Sequence, residues 1–252
     1  MDLKKITNYL DEYLEVRDFS DVSANGLQVE NSGKVEKIGL AVDAGLEVIE
    51  KAAAENCDLL IVHHGLFWGK QMLLQDSHYK RIRALICADT ALYAAHLPLD
   101  AHPEVGNNAQ IAKKIDLQQV EPFALYNGRN IGMMGKLKTK KPCEEAIKYF
   151  EAQIGRCNHV LNFGSKEILS VGVVSGSATD ADLFKEIKKL GIDILITGEP
   201  KYEAYYLAKE IGLNIFYGGH YTTETFGIKA LGKLLEKELK IKTVFFDVAC
   251  AL

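Results

Sequence analysis

Apolar residues fall in short unbroken runs along this chain, and the runs alternate with stretches of helical spacing. The sequence VEKIGLAVDAGLEVIEKAAAENCDLLIVHHG starts at Val35, and ILSVGVVSGSATDADLFKEIKKLGIDILITGE starts at Ile168. Each holds a first apolar run, over 38–42 and 171–174, then an amphipathic stretch over 46–56 and 181–190. Each then resumes with an aspartate and a second run, Asp58 to Val62 and Asp193 to Thr197. Short, fully apolar strands separated by helices predict parallel strands covered on both faces. These are two βαβ units, and the chain states the same pattern twice.

The correspondence extends further. The segments TALYAAHLPLD, from Thr90, and LNIFYGGHYTTE, from Leu213, each end an apolar strand in Tyr, two small residues and His. Four residues after those histidines, His96 and His220, stand Asp100 and Glu224. The predicted architecture is α/β: two related lobes, each a three-layer αβα arrangement on a mostly parallel sheet. The turn-rich stretch EPFALYNGRN at 121–130 suggests a division into 1–125 and 126–252. The final strand, over 243–248, is free to pair with either lobe. The N-terminal MDLKKITNYLDEYL has the spacing of an amphipathic helix and lacks the form of a signal peptide.

Composition adds exclusions. A net charge of −4 gives no global attraction to nucleic acid or an anionic membrane, and no apolar run approaches the roughly 18 residues of a membrane span. One local run, Lys136, Lys138, Lys140 and Lys141, reads either as a solvated face or as a nucleic-acid contact. The five cysteines are scattered and form no CxxC, which points away from a disulfide framework or thiolate zinc site and toward a reducing cytoplasm.

Ligands of open α/β sheets bind at the carboxyl ends of parallel strands, and the ionisable residues gather there. His63 and His64 follow the second strand, and His96 and Asp100 follow the third. In the repeat, Glu199 follows the second strand, and His220 and Glu224 follow the third. Adjacent side chains on a strand point to opposite faces, so a shared role for His63 and His64 requires the chain to break at Gly65. Five groups, His63, His64, Asp100, His220 and Glu224, form a ligand set for two divalent ions. The mixture of imidazole and carboxylate suits Zn, Fe, Mn or Ni. Two such ions roughly 3.5–4 Å apart activate a water near neutral pH. His96 and Glu199 are then groups that orient ligands or carry protons.

Other candidates carry less. Ser175-Gly176-Ser177 lies between a strand and a helix and reads as a tight turn or a phosphate cradle. Asn25-Gly-Leu-Gln-Val29 reads as a turn entering a strand. Phe67 and Trp68 read as core, or as a platform for a base. His78, His102 and His159 have no partner pattern.

Taken in order, Asn25-Gly-Leu-Gln-Val29, Val62-His-His-Gly-Leu-Phe-Trp68, His96-Leu-Pro-Leu-Asp-Ala-His-Pro-Glu104, Gly106-Asn-Asn-Ala109, Gly198-Glu199 and Gly219-His-Tyr-Thr-Thr-Glu224 resemble the GTP cyclohydrolase I type 2 homologue family, also called NIF-three-like. The resemblance spans the chain. It implies two similar α/β domains, a dinuclear centre on the five ligands named above, and a ring-like homohexamer. Two functions follow as expectations. One is a metal-dependent hydrolase of a nucleotide-like substrate. The other is a non-enzymatic ring scaffold, binding nucleic acid or a partner protein, in which the ions are structural or cargo.

Overall fold

The paired apolar runs become two sheets in the computed structural model, which describes residues 1–250. In chain order the first stretch comprises α1 (Leu3–Tyr13), β1 (Gly26–Val29), β2 (Lys37–Asp43), α2 (Leu46–Ala54), β3 (Leu59–His64), α3 (Asp76–Cys87), β4 (Ala91–Ala94) and α4 (Leu97–Ala101). There follow α5 (Asn107–Lys114), β5 (Gln118–Tyr126), β6 (Arg129–Pro142), α6 (Cys143–Ile154), β7 (His159–Asn162), β8 (Glu167–Val173) and α7 (Ala181–Leu190). The chain closes with β9 (Ile194–Thr197), α8 (Tyr202–Ile211), β10 (Asn214–Tyr217), α9 (His220–Leu239) and β11 (Lys242–Phe245).

One sheet has the order β1-β4-β3-β2-β11 and the other β5-β6-β8-β9-β10-β7. The repeat is visible in both. β2, β3 and β4 are parallel neighbours, as are β8, β9 and β10. An antiparallel edge strand closes each, β1 on β4 and β7 on β10. The second sheet is nevertheless mixed, because β6 joins β8 antiparallel and carries β5 with it.

The two βαβ units share a device where their parallel strands come together. The Asp58 carboxylate accepts from the backbone N–H of Glu36 (2.7 Å) and Lys37 (3.0 Å), beside the start of β2. Asp193 does the same for Leu169 (2.9 Å) and Ser170 (2.8 Å) in β8. The aspartate repeated in the sequence thus ties neighbouring strands together just before their parallel pairing begins, at Ile38 with Leu59 and at Val171 with Ile194.

Strand alternation divides each sheet into two buried faces. In the second, Ile194, Ile196 and Phe216 pack with Ile111 of α5 and Phe150 of α6. Leu195, Ile215 and Tyr217 face the other way, against Phe184 and Ile187 of α7 and Ala204 of α8. In the first, Leu60, Val62 and Leu92 pack with Val48 and Ile49 of α2 and Leu85 of α3. Tyr93, fully buried, donates its hydroxyl to Asp11 of α1 (2.8 Å). Gly232 of α9 lies so close to Leu40 that a side chain there would overlap it. Both sheets are therefore middle layers between helices.

Two compact units emerge, Met1–Leu99 with Gly227–Ala249, and Asp100–Phe226. The turn-rich segment near 125 lies inside the second unit. It is the two-residue reversal between β5 and β6, with Asn127 and Gly128 at φ 47° and 86°, the left-handed pair that tight hairpins require. Turn residues mark a hairpin and a linker alike, so the sequence boundary at 125/126 gives way to breaks at 99/100 and 226/227. The final strand, β11, pairs parallel with β2 of the first unit, where the latter part of α9 also belongs.

Candidate metal centre

In the first unit, β3 carries both histidines at its end. His63 is fully buried and His64 half-buried, and their ring centroids are 4.7 Å apart. His96, just past β4, brings its ring to 5.1 Å from His63 and 5.6 Å from His64. One ring nitrogen of each of the three lies within 4.8 Å of one from each of the others.

What holds these rings is the same in each case. His63 Nδ1 is 2.8 Å from the Ala95 carbonyl, His64 Nδ1 is 2.9 Å from Asp43, and His96 Nδ1 is 3.0 Å from Asp21. A carbonyl or carboxylate cannot donate, so each Nδ1 carries a proton, and in the neutral form of the ring Nε2 is then the atom with the lone pair. Asp21 is itself almost fully buried. It receives Asn25 Nδ2 (2.8 Å) and the backbone N–H groups of Ser23 and Leu97 (both 3.1 Å). Burial alone would raise its carboxyl, but His96, Asn25 and Ser23 outweigh that and hold it down at about 2.

The stretch Asn25-Gly-Leu-Gln is indeed a turn entering β1, and its polar side chains do more. Asn25 Oδ1 accepts from the His96 N–H (2.7 Å), and Gln28 Oε1 accepts from the Leu66 N–H (2.7 Å), bracing the chain after the histidine pair. A side chain at Gly65 would strike Gln28 and Ala94. Trp68 is not core. Half-buried, it sits 5.7 Å from His64 and edge-on at 5.1 Å from His96.

In the second unit, α9 opens with His220, and Glu224 follows one turn later on the same face. His220 Nδ1 is 3.0 Å from Glu199 and its Nε2 is 3.0 Å from Glu224, which is 2% exposed. Burial opposes charge on this ring, yet the two carboxylates raise it to about 9. Gly176, at φ +65°, has no room for a side chain, which would overlap Glu224 Oε1 and lie 3.2 Å from His220 Nε2. Ser175, the residue before it, donates its hydroxyl to Asp100 Oδ1 (2.9 Å), and Asn107 Nδ2 reaches the same oxygen (2.9 Å). Asn108 accepts from the Ser175 N–H (2.7 Å). Two donors on one oxygen fix the rotation of the buried Asp100 carboxylate.

The sequence candidates thus fall into two groups, His63, His64 and His96 in one unit and Asp100, Glu199, His220 and Glu224 in the other. The donor set fits a divalent cation. Four imidazoles are pinned by a hydrogen bond at Nδ1, the arrangement that orients a histidine to ligate through Nε2. Glu224 and Asp100 are carboxylates buried to a degree that calls for positive charge or several donors. Sequence reasoning passed over Asp21 and Asp43, and it gave no role to Asn107, Asn108 or Thr223, whose hydroxyl accepts from the Gly176 N–H (3.1 Å). Asp43 was findable, because it ends β2 in register with His64 of β3. Asp21 has no such signal, since it lies on a loop brought in by tertiary contacts.

The remaining candidates stand apart. His78 is buried edge-on to Phe67 (5.3 Å), His102 Nδ1 accepts from the N–H groups of Glu104 and Val105 (both 3.2 Å), and His159 stacks on Tyr217. Of the lysine run on β6, Lys138 pairs with Asp116, Lys140 with Glu167 (2.9 Å), and Lys141 lies over the Tyr149 ring. No helix among the described residues is long and apolar enough to cross a membrane.

Comparison with known proteins bears on the whole chain. A family model described as Duf34/NIF3 (NGG1p interacting factor 3) matches residues 1–250. A protein of Archaeoglobus fulgidus named GTP cyclohydrolase 1 type 2 homolog is 43% identical over 248 residues, 98% of each chain. Among solved structures, TTHA1606 from Thermus thermophilus is 40% identical with a TM-score of 0.90, and protein ybgI, titled as of unknown function, is 31% identical with a TM-score of 0.93. Both comparisons cover 100% of each chain.

Proposed function

Because the chain belongs to the Duf34/NIF3 family, we propose that it binds two divalent ions and uses them to hydrolyse a nucleotide-like small molecule. The first unit brings His63 and His64 to this set, and the second brings Asp100, His220 and Glu224. The observation that carries the reading is the pinning of imidazole Nδ1 atoms by Ala95, Asp43 and Glu199, the arrangement that orients a histidine to ligate through Nε2. Imidazole with carboxylate, and no thiolate, favours Zn, Fe, Mn or Ni.

A bound pair of such ions supplies Lewis-acid polarisation of the substrate and a water nucleophile acidified to near neutrality. The chain's own groups do the rest. Glu199 accepts the His220 Nδ1–H and so commits Nε2 to ligation, in place of the proton it shares with Glu224. Ser175 and Asn107 hold Asp100 at one oxygen. Trp68 covers the flank of His64 and His96 and limits water there. His96, with Asp21 behind its Nδ1, is the group equipped to take a proton at Nε2. The name of the Archaeoglobus relative makes GTP the first substrate to try.

The test is elemental analysis of metal per chain in the wild type, His63→Ala and Glu224→Ala, followed by turnover assays on GTP, other nucleotides and phosphoesters. About two equivalents in the wild type, falling sharply in both variants, with turnover of one substrate class, is expected. Full loading without turnover across the panel would overturn the hydrolase. A wild type that takes up no ion on reconstitution would overturn the metal set itself.

A further inference from the structure

We propose that the N-terminus of α3, with His78 and Arg81, forms an oxyanion site of the first unit that takes a phosphate group. It uses none of the proposed metal ligands. Only its assignment to the phosphate of a nucleotide substrate rests on the hydrolase reading.

Three observations support it. The first is a buried side chain without a partner. His78 is 6% exposed, and neither its Nδ1 nor its Nε2 has a hydrogen-bond partner among the described residues. Its ring meets Phe67 edge-on at 5.3 Å, and an aromatic face accepts at most one weak N–H contact. Burying an imidazole in this way is costly unless something pairs with it.

The second is the helix end. Gln75, at the N-cap of α3, makes no side-chain bond to the first turn. The N–H groups of Asp76, Ser77 and His78 find no acceptor among the described residues. Such donors, with the positive end of the helix dipole, attract an anion. Side chains of a helix lean toward its N-terminus, so the His78 ring, in the first turn, is directed at this end.

The third is charge. Arg81 lies one turn on from His78, where side chains are neighbours, and its Nε is also buried without a partner among the described residues. Over residues 70–83 the cations Lys70, Lys80, Arg81 and Arg83 stand against a single carboxylate, Asp76. The stretch is thus locally positive in a chain of net charge −4. A guanidinium, an imidazole N–H and backbone N–H groups are all donors, the combination that recognises phosphate. Arg81 and the helix end repel a cation, so the set selects an anion.

Neighbouring residues join this site to the first unit's imidazoles. Phe67 precedes Trp68, which lies 5.7 Å from His64 and 5.1 Å from His96. The Phe67 carbonyl accepts from the Ala24 N–H (3.0 Å), which fixes the segment between the two. On the hydrolase reading, a phosphate at α3 anchors one end of a nucleotide whose other end reaches Trp68.

The experiment is calorimetric titration of inorganic phosphate into the chelator-stripped full chain, so that no contact between metal and phosphate contributes. Saturable uptake of one equivalent is expected. Arg81→Gln weakens it roughly tenfold, the loss of one charged hydrogen bond. Asp76→Asn removes the one carboxylate of the first turn and tightens it about two- to fivefold. His78→Phe keeps an aromatic ring against Phe67 and removes both unpaired nitrogens. Its phosphate uptake falls at least about tenfold while its thermal midpoint rises. No saturable uptake by the wild type, which leaves water as the partner of His78, overturns the site. Unchanged affinity in His78→Phe or Arg81→Gln, or weaker binding by Asp76→Asn, overturns it as well. Asp76 is exposed and Arg81 partly so, so these two variants decide the matter even if His78→Phe does not fold. Guanosine monophosphate and guanosine, titrated in the same way, separate the sources of the phosphate. Monophosphate bound more tightly than phosphate, with guanosine unbound, supports a substrate subsite; equal affinity for phosphate and monophosphate supports a site for the free ion. These titrations contain no metal, so the oxyanion site and the metal-dependent hydrolase fail separately.

Discussion

Asp58 and Asp193 offer a test of how the repeated sequence builds two similar sheets. Each carboxylate receives two backbone N–H groups of the neighbouring chain segment just before the parallel pairing begins, at 2.7 and 3.0 Å for Asp58 and 2.9 and 2.8 Å for Asp193. A hydrogen bond to a charged acceptor contributes roughly 1.5–3 kcal/mol when buried. Here both aspartates are half-buried, so water replaces part of the loss and about 1 kcal/mol per bond is reasonable. Asp58→Ala and Asp193→Ala should each cost about 2 kcal/mol, near a thirtyfold shift in the unfolding equilibrium. Asparagine keeps one neutral acceptor oxygen and should recover roughly half. The residues lie in different compact units, so the double variant should lose the sum, about 4 kcal/mol. Urea unfolding of the metal-free protein, with midpoints and slopes fitted for all five variants, measures this. Alanine variants within about 0.5 kcal/mol of wild type, or asparagine no better than alanine, would refute the role assigned to the carboxylates.

Two further outcomes follow from the geometry. Gly176→Ala and Gly191→Ala both force a left-handed backbone on a side chain, at φ +65° and +67°, which costs roughly 1–2 kcal/mol. Only at Gly176 does the methyl meet Glu224 and His220, while Gly191 has open space. Calorimetric metal titration should therefore show uptake impaired tenfold or more in the first and unchanged in the second; equal behaviour would remove Gly176 from the site. Burial pushes the Cys57 thiol up to about 11, whereas Cys87 is exposed. A raised thiol value means less thiolate at any lower pH, so at pH 8 alkylation mapped by mass spectrometry should label Cys87 first. Cys57 should react only as the pH climbs toward 11 or the protein unfolds, and prompt labelling of Cys57 at pH 8 would contradict its placement.

The sequence by itself determined the units of construction. Unbroken apolar runs cannot be exposed on either face, so IGLAV, LLIV and ILIT had to become interior strands, and the repeated aspartate marked their starts. The end of such a strand is where loops and side chains become accessible, which is why His63, His64, His96, Glu199 and His220 were readable as candidates from position alone. The short-range pattern also fixed Glu224 relative to His220, because four residues on a helix return to one face. Tertiary structure decided everything that depends on partners distant in sequence. Turn chemistry near 125 is identical for a hairpin and for a linker, and only the pairing of β5 with β6 showed which it was. The last strand carries no mark of its neighbour, and it joined β2 because α9 runs on into the first unit. The acceptors that commit each imidazole to one tautomer lie 21 residues away for Asp43 and Glu199 and 75 for Asp21. No periodicity spans such gaps. A hydrogen bond of 3 Å is set by how strands and loops converge, so the ligands were legible as a list of residues, and their chemistry only once folded.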